Sequence, residues 1–429
     1  MQPITAPGRP QAARGRWIWL LSGTLTIAAI GAFGGWAIVR ASHPSGGPIP
    51  MSAVPMRIVT VTQPVTALNV QSYGAPIKVT TAPGGPVRIA ESIMYDFGPG
   101  GRPAVTDTDS HGLLTLAAPA CATSDCSVGF SVTVPSGVTV TAAASGGAVT
   151  VVGTGAAHID SGGGPVYAAA IGGPLTVNAE GGGVTINSAA GADLDSGGGP
   201  VTASGITGKL TVHAEGGGVT VSHAPTSAID SGGGPVYAAA IGGPLTVRAE
   251  GGGVTVSHAP TAAIDSGGGP VYAAAIGGPL TVRAEGGGVT VTGAGATQID
   301  SGGGPVTAST IEGPLGVAAE GGGIEANDVT GALSVDSGGG PLSATSLTSP
   351  SAVVHGEGGG VTLGFTTAPT SVRVDTGGGD ASLSVPGGPY AVIADSSGST
   401  DSVLIPTSPG ATRSINVTTE GGNLQIGPT

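Results

Sequence analysis

A tandem repeat of 35 residues is the feature that most constrains how this chain can fold. DSGGGPVYAAAIGGPLTVNAEGGGVTINSAAGADL begins at Asp160, and near-copies begin at Asp195, Asp230, Asp265 and Asp300. Apolar and polar residues alternate in the short runs between glycine turns, which is the period expected of β-strands. Such short strands are unstable as isolated hairpins, but copies stacked on one another bury a continuous inner face. The repeat therefore predicts an all-β chain.

The predicted architecture is a parallel β-solenoid (β-helix-like) of about 15 short Gly-rich coils, one for each half of the repeat. A β-sandwich is the alternative, but a sandwich does not need near-identical units. With 83 Gly and 34 Pro in 429 residues, helices would be broken throughout. Hydrophobic residues make up 39% and charged residues 9%, the reverse of a disordered composition. Aromatics are only 3%, so the core is expected to consist of Val, Ala, Ile and Leu.

The N-terminal region predicts a membrane anchor. Residues 17–39 carry no charge and are long enough to span a bilayer as a helix. Arg9, Arg14 and Arg16 precede this segment, and only Arg40 follows it closely, which places the N-terminus in the cytoplasm and the bulk of the chain outside. A cleaved signal peptide is the competing interpretation, although its apolar core is usually shorter. The net charge of −13 argues against a nucleic-acid partner.

These features divide the chain into six segments. A cytoplasmic tail (1–16) and a transmembrane helix (17–39) are followed by a linker rich in Pro, Ser and Gly (40–56). The remaining segments are an N-terminal β region that starts the solenoid (57–153), the regular 35-residue repeat (154–380), and degenerate C-terminal coils that form a cap (381–429).

Acidic residues mark the glycine turns and are the most chemically suggestive feature of the repeat. They are Asp160, Glu180, Asp195, Glu215, Asp230, Glu250, Asp265, Glu285, Asp300 and Glu320. If one such acid falls on each coil, neighbouring carboxylates stack ~5 Å apart and repel one another. Two interpretations follow. Each carboxylate accepts hydrogen bonds from turn amides, or a row of Ca²⁺ ions bridges successive turns. Known Ca²⁺-binding β-rolls place the acid after the glycines, whereas here it precedes them. The glycines themselves are expected to supply positive φ angles at tight corners.

Two further sets of residues are candidates for chemistry. Cys121 and Cys126 are the only cysteines, and they form either a small-loop disulfide outside the cell or two free thiols. Tyr167, Tyr237 and Tyr272 share one position in their units, where Thr stands in two other units, and strand alternation points them outward. Such a row of rings either contacts a ligand or shields neighbouring Pro and Ala residues. One other position holds Asn178, His213, Arg248 and Arg283, a variety typical of a solvated site.

Two stretches and the repeated S-G-G turns carry a family resemblance. The stretches are VTALNVQSYGAPIKVTTAPGGPVRI (65–89) and GLLTLAAPACATSDCSVGFSVTVPSGVTVTAAASGGAVTVVG (112–153). Over residues 57–429 the chain resembles the putative adhesin family of bacterial β-strand-repeat surface proteins. The resemblance implies a surface-displayed β-solenoid behind a membrane anchor, and it carries no catalytic residues because that family has no established active site.

The expected function is therefore that of an adhesin. The chain would be a single-pass membrane protein that meets a cell-surface glycan or protein ligand along the faces of its solenoid. A passive spacer or envelope-structural element is the alternative, and an envelope sensor that signals through residues 1–16 is a third. No catalytic residue is predicted, since no P-loop, Rossmann or H-E-x-x-H motif is present and the acids follow the repeat. No cofactor is predicted other than the Ca²⁺ considered above.

Overall fold

Two parallel β-sheets, packed face to face, make up the solenoid. The computed structural model of the protein describes residues 52–53, 56–95, 106–118, 127–397 and 400–429. Every regular element in these ranges is a β-strand. In chain order the strands are β1 (Ser52–Ala53), β2 (Arg57–Val61), β3 (Ala67–Ser72), β4 (Ile77–Thr81), β5 (Val87–Tyr95), β6 (Thr106–Ser110), β7 (Leu113–Ala117), β8 (Ser127–Val134), β9 (Thr139–Ala144), β10 (Val149–Val152), β11 (Ala157–Ser161), β12 (Val166–Ala179), β13 (Val184–Ser196), β14 (Val201–Ile206), β15 (Lys209–Ala214), β16 (Val219–Ala224), β17 (Thr226–Ser231), β18 (Val236–Ile241), β19 (Pro244–Ala249), β20 (Val254–Ala259), β21 (Thr261–Ser266), β22 (Val271–Ile276), β23 (Leu280–Ala284), β24 (Val289–Ala294), β25 (Thr297–Ser301), β26 (Val306–Ile311), β27 (Leu315–Ala319), β28 (Ile324–Val329), β29 (Leu333–Ser337), β30 (Leu342–Leu347), β31 (Ser351–Gly356), β32 (Val361–Phe365), β33 (Ser371–Thr376), β34 (Ala381–Val385), β35 (Ala391–Ser396), β36 (Asp401–Val403), β37 (Ser414–Thr419) and β38 (Leu424–Pro428).

Each coil consists of one strand from each sheet. The even-numbered strands from β14 to β34 pair in parallel, β14 with β16 and so on, and form what we call the tyrosine sheet. The odd-numbered strands from β15 to β33 pair in the same way and form the charged sheet. The long strands β12 and β13 continue through both sheets. The parallel β-solenoid predicted from the sequence is confirmed, with about 14 turns rather than the predicted 15.

The coil-to-coil register is nearly uniform. Val201 is the partner of Val219, and Val219 is the partner of Val236, so successive coils are offset by 18 and then 17 residues. The two offsets together give the 35-residue repeat. Inward positions are filled by Val, Ile, Leu and Ala, as in β16, where Val219 and Val221 are at most 1% exposed. Alternate small apolar side chains therefore fill the narrow space between the sheets, as the composition predicted.

The glycine triplets have a different cause from the one expected. Among the described residues, none of the triplet glycines has a positive φ. The left-handed residues of the regular coils lie at the opposite corner, where His223, Ala240 and His258 have φ angles of 53–55°. At the triplets the coils stack so closely that a Cβ on Gly304 would collide with the backbone of Gly287 one coil away. The first and third glycines of this D-S-G-G-G turn, Gly302 and Gly304, are thus required by close backbone packing between coils, because only a residue without a Cβ fits there, whereas a Cβ on the middle glycine Gly303 would meet no atom within 4 Å.

At both ends, the stacking order departs from the chain order. The last coil along the chain, β37 with β38, lies between β33–β34 on one side and β35–β36 on the other. At the opposite end, β3 lies between β7 and β9, and β4 lies between β8 and β10. Antiparallel strands β2, β5 and β6 continue the N-terminal edge. At the C-terminal end the edge is thereby supplied by β35 and β36 rather than by the last strands of the chain.

A buried tyrosine closes the C-terminal end. Tyr390 is 0% exposed, and its hydroxyl donates a hydrogen bond to the carbonyl oxygen of Pro386 at 2.7 Å. Burial raises the pKa of this phenol above its ordinary value of 10.0, while the charge of Arg413 acts in the opposite direction. The end coil is therefore anchored by an aromatic side chain in a core that is otherwise aliphatic apart from the buried Phe130 and Phe365.

Candidate interaction faces

The predicted tyrosine row lies on the outer surface of the tyrosine sheet. Tyr237 and Tyr272 are each 51% exposed and Tyr167 is 39% exposed. The preceding residue of each strand, such as Val236, points into the core, so the alternation of the strand turns the ring outward. The outward direction expected from the sequence is confirmed. Whether the rings contact a ligand stays a prediction.

The rings occupy one column, separated by two or four coils. Tyr237 is the strand partner of Thr255, which in turn is the partner of Tyr272. Two strand spacings correspond to about 10 Å. Tyr167 lies four coils from Tyr237, through Thr185, Thr202 and Thr220. Tyr rings and threonine hydroxyls therefore share one straight line along the stacking axis.

Prolines accompany the rings with the same period. Pro235 and Pro270 are exposed, and each lies two residues before Tyr237 or Tyr272 on the same side of its strand. On the coils between, this position is glycine, and a Cβ on Gly253 would lie against the ring of Pro270. Pro stands on every second coil and is joined by Tyr in an apolar ridge on three of them, while the coils between expose small polar groups. A shielding role for the rings beside Pro, the alternative considered above, is compatible with this arrangement.

The same face is free of formal charge over a long stretch. Strands β14, β16, β18, β20, β22, β24 and β26 contain no Asp, Glu, Lys or Arg. Their outward side chains are Tyr, Thr, Ser and Ala, and the only titratable groups besides Tyr are His223 and His258 at the corner. In a chain of net charge −13, this absence of charge distinguishes the tyrosine sheet from the charged sheet.

Beyond the rings, the face continues into a groove. Thr307 follows Tyr272 and Thr290 in the same column. It lines a shallow concavity of 650 Å³ together with the hydroxyl residues Ser343 and Thr362. Two carboxylates, Glu325 and Asp380, also line this groove. Neither is one of the repeated acids that precede the glycine triplets, which are the acids that the sequence pattern marks; Asp380 follows a triplet instead, at the position that proline holds in D-S-G-G-G-P.

Asp380 is held in a fixed orientation. Its Oδ1 accepts hydrogen bonds from the backbone N–H of Asn423 at 2.7 Å and from the Nδ2 of Asn423 at 3.2 Å. Asn423 belongs to the turn before β38, which is the last strand of the chain. Strand β38 pairs with β34 at the C-terminal end of the solenoid. The geometry of this part of the groove therefore depends on the displaced C-terminal coil.

The expected stack of acids ~5 Å apart is wrong. In the charged sheet, Asp230 is the partner of Arg248, which is the partner of Asp265. The aspartates of the repeat thus alternate with other residues along one column, which runs Asp160, Asn178, Asp195, His213, Asp230, Arg248, Asp265, Arg283 and Asp300. The physical reason is the uniform coil length of 17 or 18 residues, whereas the acids are spaced by 20 and 15.

Polar contacts join neighbouring side chains at the N-terminal end of this column. Nδ2 of Asn178 donates to Oδ1 of Asp160 at 2.8 Å, and Nδ1 of His213 lies 3.6 Å from Oδ2 of Asp230. His158, on the same strand as Asp160, places its Nε2 3.2 Å from the Oδ2 of that carboxylate. The column is thus a polar ladder of mixed sign, and like carboxylates are two strands apart, about 10 Å. The repeat position shared by Asn178, His213, Arg248 and Arg283 could have predicted this alternation, because each of these residues can contact a neighbouring carboxylate.

The glutamates form a second, separate set within the turns. The backbone N–H of Glu215 bonds to the carbonyl oxygen of Ser196, and the next coil places Gly232 at the same position. Glu180, Glu250, Glu285 and Glu320 follow the same pattern. In the described part of the chain, no turn amide donates to any of the ten acids named above. Turn capping by these carboxylates is therefore not what the structure shows.

Buried serines satisfy the turns instead. Ser231 and Ser266 are 0% exposed, and their hydroxyls donate to the carbonyl oxygens of Gly234 and Gly269, each at 3.0 Å. Ser161, Ser196, Ser301 and Ser337 make the same bond, and Thr376 and Thr419 replace Ser toward the C-terminus. The serine of the D-S-G-G-G motif is thus the turn residue, since its side chain points inward while that of the aspartate points outward.

Several sequence-based predictions stay untested. No group of three or more His, Cys, Asp or Glu side chains that could hold a metal ion occurs among the described residues, and Ca²⁺ binding stays a prediction. Cys121, Cys126 and the predicted membrane span 17–39 lie outside the described residues. Within the described ranges there is no helix that is long and apolar enough to cross a membrane.

Comparisons with known proteins give a limited result. No protein-family model matches the sequence, and no curated protein is significantly similar to it. Among the solved structures to which the chain is similar, three are described as putative adhesins. That of Parabacteroides merdae is 10% identical, with a TM-score of 0.20, over 73% of this chain and 96% of that chain. That of Parabacteroides distasonis is 11% identical, with a TM-score of 0.18, over 87% and 97%. That of Bacteroides fragilis is 12% identical, with a TM-score of 0.17, over 88% and 97%. Their description agrees with the family that the sequence resembles, but TM-scores this low carry no argument about the ligand.

Proposed function

We propose that this chain is a membrane-anchored adhesin whose solenoid presents the tyrosine sheet to a ligand outside the cell. The supporting observation is the row of half-exposed tyrosine rings on an outer face whose side chains are not part of the apolar core. Tyr237 and Tyr272 are 51% exposed, while the apolar core is closed by the inward residues of the same strands. Exposed aromatic rings in a row are typical of interaction surfaces, because each ring provides a large contact area with little conformational freedom to lose.

The proposed placement puts residues 1–16 in the cytoplasm, residues 17–39 in the membrane and the solenoid on the cell surface. Its support is the uncharged apolar segment and the arginines before it. Protease treatment of intact cells tests this placement. We expect the solenoid to be removed, while an epitope tag at the N-terminus stays protected. Protection of both parts would contradict it.

The adhesin function is tested by binding of the full-length chain, reconstituted in nanodiscs, to whole cells and cell-envelope preparations. The informative variant replaces Tyr167, Tyr237 and Tyr272 together with Thr, the residue that the repeat itself places at the equivalent positions 202 and 307. We expect saturable binding that this triple variant loses. The matched control is Tyr73→Thr, which removes a ring of 38% exposure located outside the regular repeat.

A passive spacer is the second candidate, and the uniform register of the coils favours it. Coils that repeat without interruption from β14 to β30 give a length that scales with copy number. Deletion of one 35-residue unit distinguishes the two functions. A spacer changes its reach without any change in affinity, whereas an adhesin that loses a Tyr-bearing unit binds more weakly. Absence of saturable binding to every cell and envelope preparation would favour the spacer.

A further inference from the structure

We propose that the tyrosine sheet binds a neutral, extended polysaccharide lying along the stacking axis, with two sugars of the ligand matched to two coils of the protein. This inference rests on the proposed adhesin function and names the chemistry of the ligand. It is carried by three features of one face, which are the spacing of the rings, the absence of charge and the groove beyond them.

The spacing of the rings favours a repeating ligand. Tyr237 and Tyr272 are separated by two strands, about 10 Å, and Tyr167 precedes them by another four strands, about 19 Å. All three rings therefore fall on one lattice with a period of two coils. Thr202 and Thr307 occupy the two further lattice positions that lack a ring. A polymer whose repeat has this length can contact every ring in the same way.

An extended chain of β-1,4-linked pyranoses has this kind of repeat. Successive sugars in such a chain are turned by about half a rotation, so every second sugar presents the same face to a flat surface. The C–H face of a pyranose is apolar and stacks on an aromatic ring, while its hydroxyls point sideways. Between the rings, the protein offers the hydroxyl groups of Thr255 and Ser257, which are partly exposed on the intervening coil. Tyrosine rings and hydroxyl groups thus alternate along the stacking axis of the protein, as apolar C–H faces and hydroxyl groups alternate along such a glycan.

The charge distribution indicates a neutral ligand. No Lys or Arg is present on the tyrosine-sheet strands from β14 to β26 to pair with a polyanion, and the chain as a whole is strongly acidic. A polyanionic glycan would be repelled by the long-range field of such a chain. The same field would attract a polycation, but the strands that carry Tyr237 and Tyr272 and their neighbours from β14 to β26 contain no Asp or Glu to pair with it.

The groove beyond the rings supplies directional hydrogen bonds. Glu325 and Asp380 line it together with Thr307, Ser343 and Thr362. An ionised carboxylate accepts hydrogen bonds through both oxygens, and sugar hydroxyls are suitable donors. Oδ1 of Asp380 is already oriented by Asn423, which leaves Oδ2 available to a ligand. A glycan stacked on Tyr272 and continuing in the same direction reaches this groove.

A gain-of-function series tests the lattice, and its on-lattice variants carry little risk to folding because Tyr already occupies equivalent positions. Thr202→Tyr and Thr307→Tyr add rings on the lattice. Thr220→Tyr and Thr290→Tyr are the matched controls, since they add the same ring one coil out of phase. Affinity is measured with the full-length chain in nanodiscs by biolayer interferometry. The probes are hydroxyethylcellulose as a neutral β-1,4-glucan, carboxymethylcellulose as its polyanionic counterpart, dextran as a neutral glucan of other linkage, and a polyproline peptide, whose helix has a similar repeat.

We expect hydroxyethylcellulose to bind more tightly than the other three probes. Each on-lattice ring should increase its affinity about two- to tenfold, and each off-lattice ring should leave it within about twofold. Equal gains from both sets of variants would overturn the matched spacing. Tighter binding of carboxymethylcellulose would overturn the neutral ligand, and tighter binding of polyproline would assign the face to a peptide.

The outcome separates this inference from the proposed function. If cells bind in a Tyr-dependent manner but hydroxyethylcellulose does not, the glycan inference fails and the adhesin function stands. If hydroxyethylcellulose binds with the expected lattice dependence but no cell or envelope preparation does, the inference stands and the adhesin function fails.

Discussion

Replacement of two neighbouring glycines by alanine should have opposite effects, and this contrast tests why the triplets exist. A Cβ on Gly304 would lie closer than 3.0 Å to the O and C of Gly287 and to the N of Gly288, all of them backbone atoms. A Cβ on Gly303 would meet no atom within 4 Å. Neither glycine has a positive φ, so the two substitutions differ in steric overlap alone.

The magnitude follows from what the overlap displaces. Backbone atoms cannot rotate aside as a side chain can, so relief requires the coils to separate locally, at a cost of about 3 kcal/mol. The same displacement stretches the hydrogen bond from the hydroxyl of Ser301 to the carbonyl oxygen of Gly304, now 3.0 Å, which adds about 1 kcal/mol. Gly303→Ala should instead stabilise the fold by about 0.4–1 kcal/mol, because alanine restricts the unfolded chain.

Hydrogen exchange is the suitable assay, since a repeat protein opens locally rather than in one transition. The informative amides are those of Val289 and Val306, which bond to the carbonyl oxygens of Pro305 and Gly323 across adjacent coils. We expect Gly304→Ala to accelerate their exchange at least about 100-fold, which corresponds to a loss of about 3 kcal/mol. Gly303→Ala should slow it slightly. Equal effects of the two substitutions would refute the steric explanation.

Three further substitutions test the buried serine of the glycine turn, the left-handed residue at the opposite corner of the coil, and the buried tyrosine at the C-terminal end. Ser266→Ala should lower the free energy of local unfolding by about 1–2 kcal/mol in hydrogen exchange, because a buried turn carbonyl loses its hydrogen-bond donor. Ser266→Thr should retain most of the stability, since Thr376 makes the same bond at 2.9 Å. An alanine variant without any loss of stability would contradict this role of the serine. Ala240→Gly should raise stability by about 0.5 kcal/mol in thermal unfolding, because Ala240 has a φ of 53°, which is unfavourable for a residue with a Cβ. Gly205 already occupies the equivalent site. A loss of stability would argue against backbone strain at Ala240. Folding raises the pKa of Tyr390, so the unfolded state releases this proton first as the pH increases. The stability of the C-terminal end should therefore be constant below about pH 10 and fall as the pH rises further. Tyr390→Phe should remove this part of the decline in urea titrations, and an unchanged decline would disprove the assignment.

Much of the fold could be predicted from local patterns. The 35-residue unit and the alternation in strands such as β16 gave the solenoid, and the position of Val236 before Tyr237 gave the outward direction of the rings. These predictions succeed because side-chain direction in a strand depends only on the parity of the position. The groove residues Glu325 and Asp380 could not be found in this way, since neither is one of the repeated acids that precede the glycine triplets.

The placement of the acids shows why periodicity alone was insufficient. Motif spacing in the sequence alternates between 20 and 15 residues, but the aspartate precedes a serine that points inward, whereas the glutamate is itself part of the turn. The two acids therefore mark different points of the coil. Strand pairing follows the backbone hydrogen bonds between coils, and these place Asp230 beside Arg248 rather than beside a carboxylate.

The sequence by itself determined the strand period, the aliphatic core and the outward rings, because each of these depends on residues within one coil. Tertiary structure decided which residues lie next to one another across coils and which coil closes each end. It inserted β37 between β33 and β35, alternated aspartates with residues of other charge, and aligned Tyr237 with Tyr272 at two coils' distance. The physical reason is that parallel coils pair through backbone hydrogen bonds and glycine contacts, which fix a uniform coil length whatever the spacing of the side-chain motifs.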